Sequence, residues 1–197
     1  MKNNLYVWVA LFVVALGIFA LWWINRNDTV VPVVPILQTY SSTTMGFSIE
    51  IPPDFIIDED HTYKTSPANK ISGVKFTIPK NLSEGTNLSS NTYISVEKKP
   101  GAINSCSAEI YLDNSVSAGY VDVGSNRYSV AKSSGAGAGN RYDETVYATP
   151  IDGGCIAVRY FIHSTVLENY PEGTVTKFDE IAVKNMFDSI RVSLVLK

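Results

Sequence analysis

Residues 5–24, from Leu5 to Ile24, form an unbroken run with no charge and a single residue, Gly17, outside the apolar and aromatic set. A helix of that length rises about 30 Å, enough to cross the hydrocarbon core of a bilayer. In lipid every backbone polar group must be bonded within the segment, so a lone span has to be helical. Trp8 lies near one end and Trp22 with Trp23 at the other, where aromatic side chains mark membrane interfaces. Lys2 precedes the run, whereas Arg26 behind it is offset by Asp28, a bias that puts the N-terminus inside. The stretches Gly17-Ile18-Phe19-Ala20 and Leu21-Trp22-Trp23 fit a small-residue cleavage site poorly, and no cysteine follows that could take a lipid. The sequence therefore predicts a cytoplasmic N-terminus at 1–4, an uncleaved transmembrane signal-anchor at 5–24, and the bulk of the chain outside the cytoplasmic membrane, periplasmic or extracellular.

Residues 25–38 contain Pro32 and Pro35 among β-branched neighbours, which prefer extended or polyproline backbone and exclude a helix. They read as a tether. Residues 39–197 remain, the size of one domain. The chain holds 16 basic and 19 acidic side chains; setting aside Lys2, Arg26 and Asp28 leaves 14 and 18, a net charge of −4. That balance argues against a nucleic-acid partner, which calls for a basic excess.

Only two cysteines occur, Cys106 and Cys155. Outside a cytoplasmic membrane a pair of thiols is expected to be bridged. The competing metal reading lacks support, because no Cys-x-x-Cys occurs and neither His61 nor His163 is spaced from a cysteine like a zinc ligand. No metal or cofactor is expected.

Alternation of apolar and polar residues marks strands at Phe47–Ile51, Gly73–Ile78, Thr92–Glu97, Gly119–Val123, Arg127–Ala131, Arg141–Thr149 and Cys155–Ser164. Pro52-Pro53 stops the first, after which Phe55-Ile56-Ile57 resumes as a short strand ahead of the acidic Asp58-Glu59-Asp60. Ser105 or Ser107 is placed to cap a short helix ending at Leu112. A longer helix is predicted over Lys177–Asp188, capped by Thr176, with Phe178, Ile181, Ala182, Met186, Phe187 and Ile190 as its buried stripe. A closing strand follows at Arg191–Leu196. The expected class is α+β: one antiparallel sheet with about two covering helices.

The opening Gly46-Phe47-Ser48-Ile49, with Pro52, and the closing Phe178, Ile181, Phe187, Ser189 and Ile190 resemble the ends of PsbP/Mog1-like α+β domains. That resemblance implies an antiparallel sheet between helices and a protein-binding or assembly role, with no catalytic residue to transfer.

In Cys155–Ser164, Ile156, Val158, Tyr160 and Ile162 point to one face, and Cys155, Ala157, Arg159, Phe161 and His163 to the other. Both faces are apolar enough for a central strand. A buried Arg159 must be paired, and Asp143 or Glu144 on the preceding strand are within reach. Arg159, His163, Tyr142, Asp143 and Glu144 form the candidate polar pocket, with a structural salt bridge as its plain alternative. No catalytic residue is assigned: Gly-x-Ser-x-Gly is absent and His163 could activate a cysteine only if the bridge did not form. The glycine-rich Ser133–Asn140 lacks the Gly-Lys-Ser/Thr of a phosphate loop and reads as a flexible loop. Asp58-Glu59-Asp60-His61 lacks calcium-loop spacing. The expectation is a membrane-anchored, non-catalytic binding or accessory module whose partner is another protein at the membrane. The alternative is a hydrolase, or a small-ligand or carbohydrate receptor, built on His163 and Arg159.

Overall fold

A computed structural model describes residues 37–66, 69–101, 103–112, 116–124 and 126–197. The expected membrane span at 5–24 and nearly all of the tether lie outside the described residues. Among the described residues no helix is long and apolar enough to cross a membrane.

The chain enters through β1 (Gln38–Ser42) and turns at Thr43–Gly46, where Gly46 takes φ 73°. It returns as β2 (Phe47–Ile51), with Phe47, Ile49 and Ile51 buried and Ser48 and Glu50 turned outward. Seven further strands form the main sheet: β3 (Ile56–Ser66), β4 (Asn69–Thr77), β5 (Tyr93–Pro100), β6 (Gly119–Val123), β7 (Asn126–Gly137), β8 (Asn140–Ile151) and β9 (Gly154–Thr165). The order across it is β3-β4-β5-β9-β8-β7-β6, antiparallel throughout. Helix α1 (Glu180–Val192) and β10 (Val195–Leu196) complete the domain.

The alternation within β9 builds both faces of the sheet, because β9 is its central strand. Ile156, Val158, Tyr160 and Ile162 join Val74, Phe76, Ile94 and Val96, and this face is covered by β2 and by Phe187 and Ile190 of α1. Burying a side chain such as Phe187 completely stabilises by about 1.5–3 kcal/mol. On the opposite face Cys155, Ala157, Ala148 and Ala131 are small. That lets the crossover from β5 to β6 lie close against the sheet and seat Ala108, Tyr111 and Leu112 there. Cys106 on this crossover is bonded to Cys155 on β9, as the sequence predicts.

The structure corrects several expectations. There are two sheets rather than one, since β1, β2 and β10 form a separate three-stranded sheet. Pro52-Pro53 ends β2, and its apolar side chains are buried by packing face to face instead of by joining an edge. α1 is the only α-helix among the described residues. The expected first helix is a 3₁₀ turn at Ala108–Tyr111, with Ser107 accepting from Glu109 N at 3.3 Å. So short a segment cannot recover the cost of nucleating an α-helix.

The cap of α1 is Asp179, whose carboxylate accepts from Ala182 N at 2.9 Å. Thr176 is instead engaged by Gly85, its backbone N–H donating to Gly85 O at 2.9 Å. Ile181 is 72% exposed, because the contacting stripe runs through Val183, Phe187, Ile190 and Leu194, and Ile181 lies off that line. α1 also takes in Arg191, so the closing strand shrinks to two residues.

β3 is far longer than expected and carries Asp58–His61 within a paired strand. The glycine-rich Ser133–Asn140 is a hairpin, paired from Ser133↔Glu144 to Gly137↔Asn140. Ala138 and Gly139 both take positive φ at its tip, as a type I′ turn requires.

The disulfide closes a loop of 49 residues and ties the crossover to the central strand. Chain-entropy arguments give it about 4 kcal/mol. Reduction, or replacement of both cysteines by serine, is expected to lower the melting temperature by about 8–16 °C, on the scale of about 2–4 °C per kcal/mol for a chain of this size. Calorimetry with and without reductant checks this.

Candidate functional site

Arg159 is fully buried at the centre of β9. A guanidinium removed from water needs every donor matched, and the sheet supplies the acceptors from three directions. From β5, Glu97 accepts Nε at 2.8 Å and Nη2 at 2.9 Å, a bidentate pair. From β8, Glu144 Oε2 accepts Nη1. From the crossover, Tyr111 O accepts Nη2 at 2.6 Å. The ring of Tyr63 on β3 stacks on the guanidinium with 3.4 Å to its centroid, and its hydroxyl donates to Glu144 Oε1 at 3.0 Å. Ser95 donates to Glu97 Oε1 at 2.8 Å.

Two carboxylates thus face one guanidinium. Burial works against the Arg159 charge, but Glu97 and then Glu144 outweigh it and hold its pKa above the ordinary arginine value. Gly73 on β4 is opposite both His61 and Glu97 in register. A Cβ there would stand 2.9 Å from Glu97 Cγ and 2.7 Å from Val96 O, so glycine is needed for the Glu97 side chain to pass. The gap also brings His61 Nε2 to 4.0 Å from Glu97 Oε1, with no hydrogen-bond partner of its own among the described residues. Burial lowers the His61 pKa, and the attraction of Glu97 only partly opposes it.

His163 occupies a different place. It shares the face of Arg159, but Phe161 stands between them, stacked on Tyr93 at 4.8 Å. The His163 ring stacks on Tyr142 at 4.6 Å. Its Nε2 meets Asn140 Oδ1 at 2.8 Å, and its Nδ1 lies 2.6 Å from Asn91 Oδ1. Asn140 also donates Nδ2 to Ala138 O at 3.1 Å, which leaves its Oδ1 to accept from Nε2. Burial lowers the His163 pKa as well.

Of the five residues in the candidate pocket, Arg159 and Glu144 meet directly, and Tyr142 and His163 form a separate stack. Asp143 belongs to neither. It pairs in register with Ile162, so its side chain faces the other side of the sheet, where it accepts from Ser134 Oγ at 2.6 Å and lies 3.5 Å from Arg141 Nε. Of the two acids proposed for Arg159, alternation selects Glu144, since residues two apart share a face. The other partners, Glu97, Tyr63, Ser95 and His61, come from strands distant in sequence. Their only local signal is that an acid at Glu97 falls on the inward side of an otherwise apolar strand. Among the described residues, no three His, Cys, Asp or Glu side chains are grouped so as to hold a metal ion.

No family model matches the chain, and no curated protein matches it. Solved structures with some likeness include a protein from Bacteroides thetaiotaomicron, 14% identical, with a TM-score of 0.46; the match covers 81% of this chain and 48% of that one. This chain thus spans about half the length of that neighbour. Another is the cyanobacterial PsbP (CyanoP) from Synechocystis sp. PCC 6803, 15% identical, with a TM-score of 0.46, covering 88% of this chain and 99% of that one. Likeness at this level fixes neither function nor partner.

Two outcomes follow from the Arg159 cluster. Arg159→Ala leaves the buried Glu97 and the partly buried Glu144 without their cation and is expected to destabilise by about 3–5 kcal/mol, with Arg159→Lys failing to restore the bidentate contact. Denaturant titration checks both. For pH, the folded-state pKa values of His61 and His163 are depressed below the unfolded value of 6.5. The unfolded chain then binds more protons in that window, so the stability is complete above pH 6.5 and is lost as pH falls through the lower folded values. The melting temperature is expected to drop between pH 7.5 and 5.5, and His61→Asn to remove the larger share of that drop, because His61 is the more buried of the two.

Proposed function

We propose that this protein is a membrane-anchored, extracytoplasmic binding or accessory module of PsbP-like type, with the N-terminus inside, the folded domain outside and a protein partner at the membrane. The observation that carries this reading is how the chemically capable side chains are used. Arg159 spends its donors on Glu97, Glu144 and Tyr111 O, both nitrogens of His163 meet asparagine amides, and both cysteines are in the disulfide. These groups organise a rigid sheet, which is what a display scaffold requires. The disulfide is in keeping with an oxidising compartment. The apolar run at 5–24 holds the domain close to its partner and raises the effective concentration there.

The reading is tested with the full-length chain in cells. Protease added outside intact cells is expected to digest the domain while a cytoplasmic control survives, and carbonate washing to leave the chain in the membrane. In-cell cross-linking followed by mass spectrometry is expected to recover one recurrent membrane-associated protein. A chain protected from external protease would overturn the topology, and the absence of a recurrent cross-linked protein would overturn the accessory role.

A further inference from the structure

We propose that the lysine-lined cleft at one end of β3, β4 and β5 binds a phosphate group. In the β3–β4 hairpin one end sets opposite charges across the ladder: Asp58 pairs in register with Lys75, and their side chains meet at 3.0 Å. The other end sets Lys64 directly opposite Lys70. Lys98 joins them from β5, since its register partner Ser72 lies two residues from Lys70 on the same face. Like charges placed opposite each other on one sheet face repel. None of the three lysines forms an ion pair among the described residues, whereas Lys75, Lys184, Arg141, Arg159 and Arg191 each meet a carboxylate.

The repulsion surrounds a cavity of about 380 Å³ lined by Thr44, Met45, Lys70, Ser72, Lys98 and Pro100, together with Lys99. Lys99 sends its ammonium to the opposite face, where it donates to Ile110 O at 3.0 Å, so the cations of the cleft are Lys70 and Lys98, with Lys64 beside them. Lys98 Nζ lies 3.5 Å from Met45 O, which aims it towards the β1–β2 turn. No acidic residue lines the cavity. Glu59 and Asp60 line an adjoining cavity, and Glu59 accepts from the Tyr40 hydroxyl at 2.7 Å.

Concentrated positive charge in a domain of net negative charge calls for an anion. The ammonium groups of Lys70 and Lys98 and the hydroxyls of Thr44 and Ser72 offer more donors than the two oxygens of a carboxylate can accept. A phosphate group, with its additional oxygens and greater charge, matches them, and lysine serves such groups as a point charge. The phosphate could belong to a soluble polyphosphate or to a lipid headgroup, and the test separates these.

Full-length protein in an uncharged detergent is titrated calorimetrically at low ionic strength with tripolyphosphate and, separately, with monomeric dihexanoyl phosphatidic acid, whose phosphomonoester keeps three terminal oxygens. Binding of either probe is expected, weakened about tenfold or more by the double change Lys70→Gln with Lys98→Gln and unaffected by Lys184→Gln, whose lysine is paired with Glu180. Lysine-dependent binding of tripolyphosphate identifies a soluble ligand, and of the lipid alone a headgroup; both support the site. The melting temperature of the double variant without anion is expected to equal or exceed that of the wild type, because repulsion is relieved. Absence of binding to both probes, binding unchanged in the double variant, or a lowered melting temperature would overturn the proposal.

Discussion

The burial of one positive charge in the central strand governs the architecture around it. Arg159 cannot be withdrawn from water unless its donors are matched, and the matching groups come from β5, β8 and the crossover, with a tyrosine ring from β3 closing the remaining side. The long-range pairing of β5 with β9, which joins two otherwise local meanders into one sheet, runs directly through this contact, with Ser95 opposite Arg159. A shift of register by one residue would turn Arg159 into the apolar face beneath β2 and α1, and Ile156 and Val158 out of it. The charge therefore specifies register as well as being stabilised by it.

The two faces of the sheet divide the work by residue size. Large aliphatic and aromatic side chains fill the face under β2 and α1. Alanines and Cys155 on the other leave the crossover room to approach and bring its carbonyl at Tyr111 onto the guanidinium. The disulfide anchors that same crossover, so it supports the polar cluster indirectly, by holding an acceptor in place. Gly73 contributes by lacking a side chain where Glu97 has to pass.

Much of the fold was legible because it is local. The alternation of β2 and β9 and the helical spacing of Phe187 and Ile190 follow from residue type and period, whereas the pairing of the two cysteines was expected from the compartment. The misreadings share a cause: the local signal was ambiguous and a distant partner resolved it. Thr176 and Asp179 are equally good caps in isolation, and the bond between Thr176 and Gly85 leaves Asp179 to do it. Ser133–Asn140 looks like a flexible loop until β8 pairs with it. In the site, Asp143 and Glu144 stood as equal candidates to pair with Arg159, and only the register, which puts Asp143 opposite Ile162, selected Glu144.

The sequence alone determined the apolar run at 5–24, the inward and outward residues of β2 and β9, and the need for Arg159 to find an anion, because these depend on composition, period and the cost of removing charge from water. The tertiary structure decided which anion that would be, that Arg159 and His163 occupy separate places, and that Lys64, Lys70 and Lys98 converge. Those facts depend on which strands become neighbours, and strand order is set by the global packing of side chains far apart in the chain, which no local pattern records.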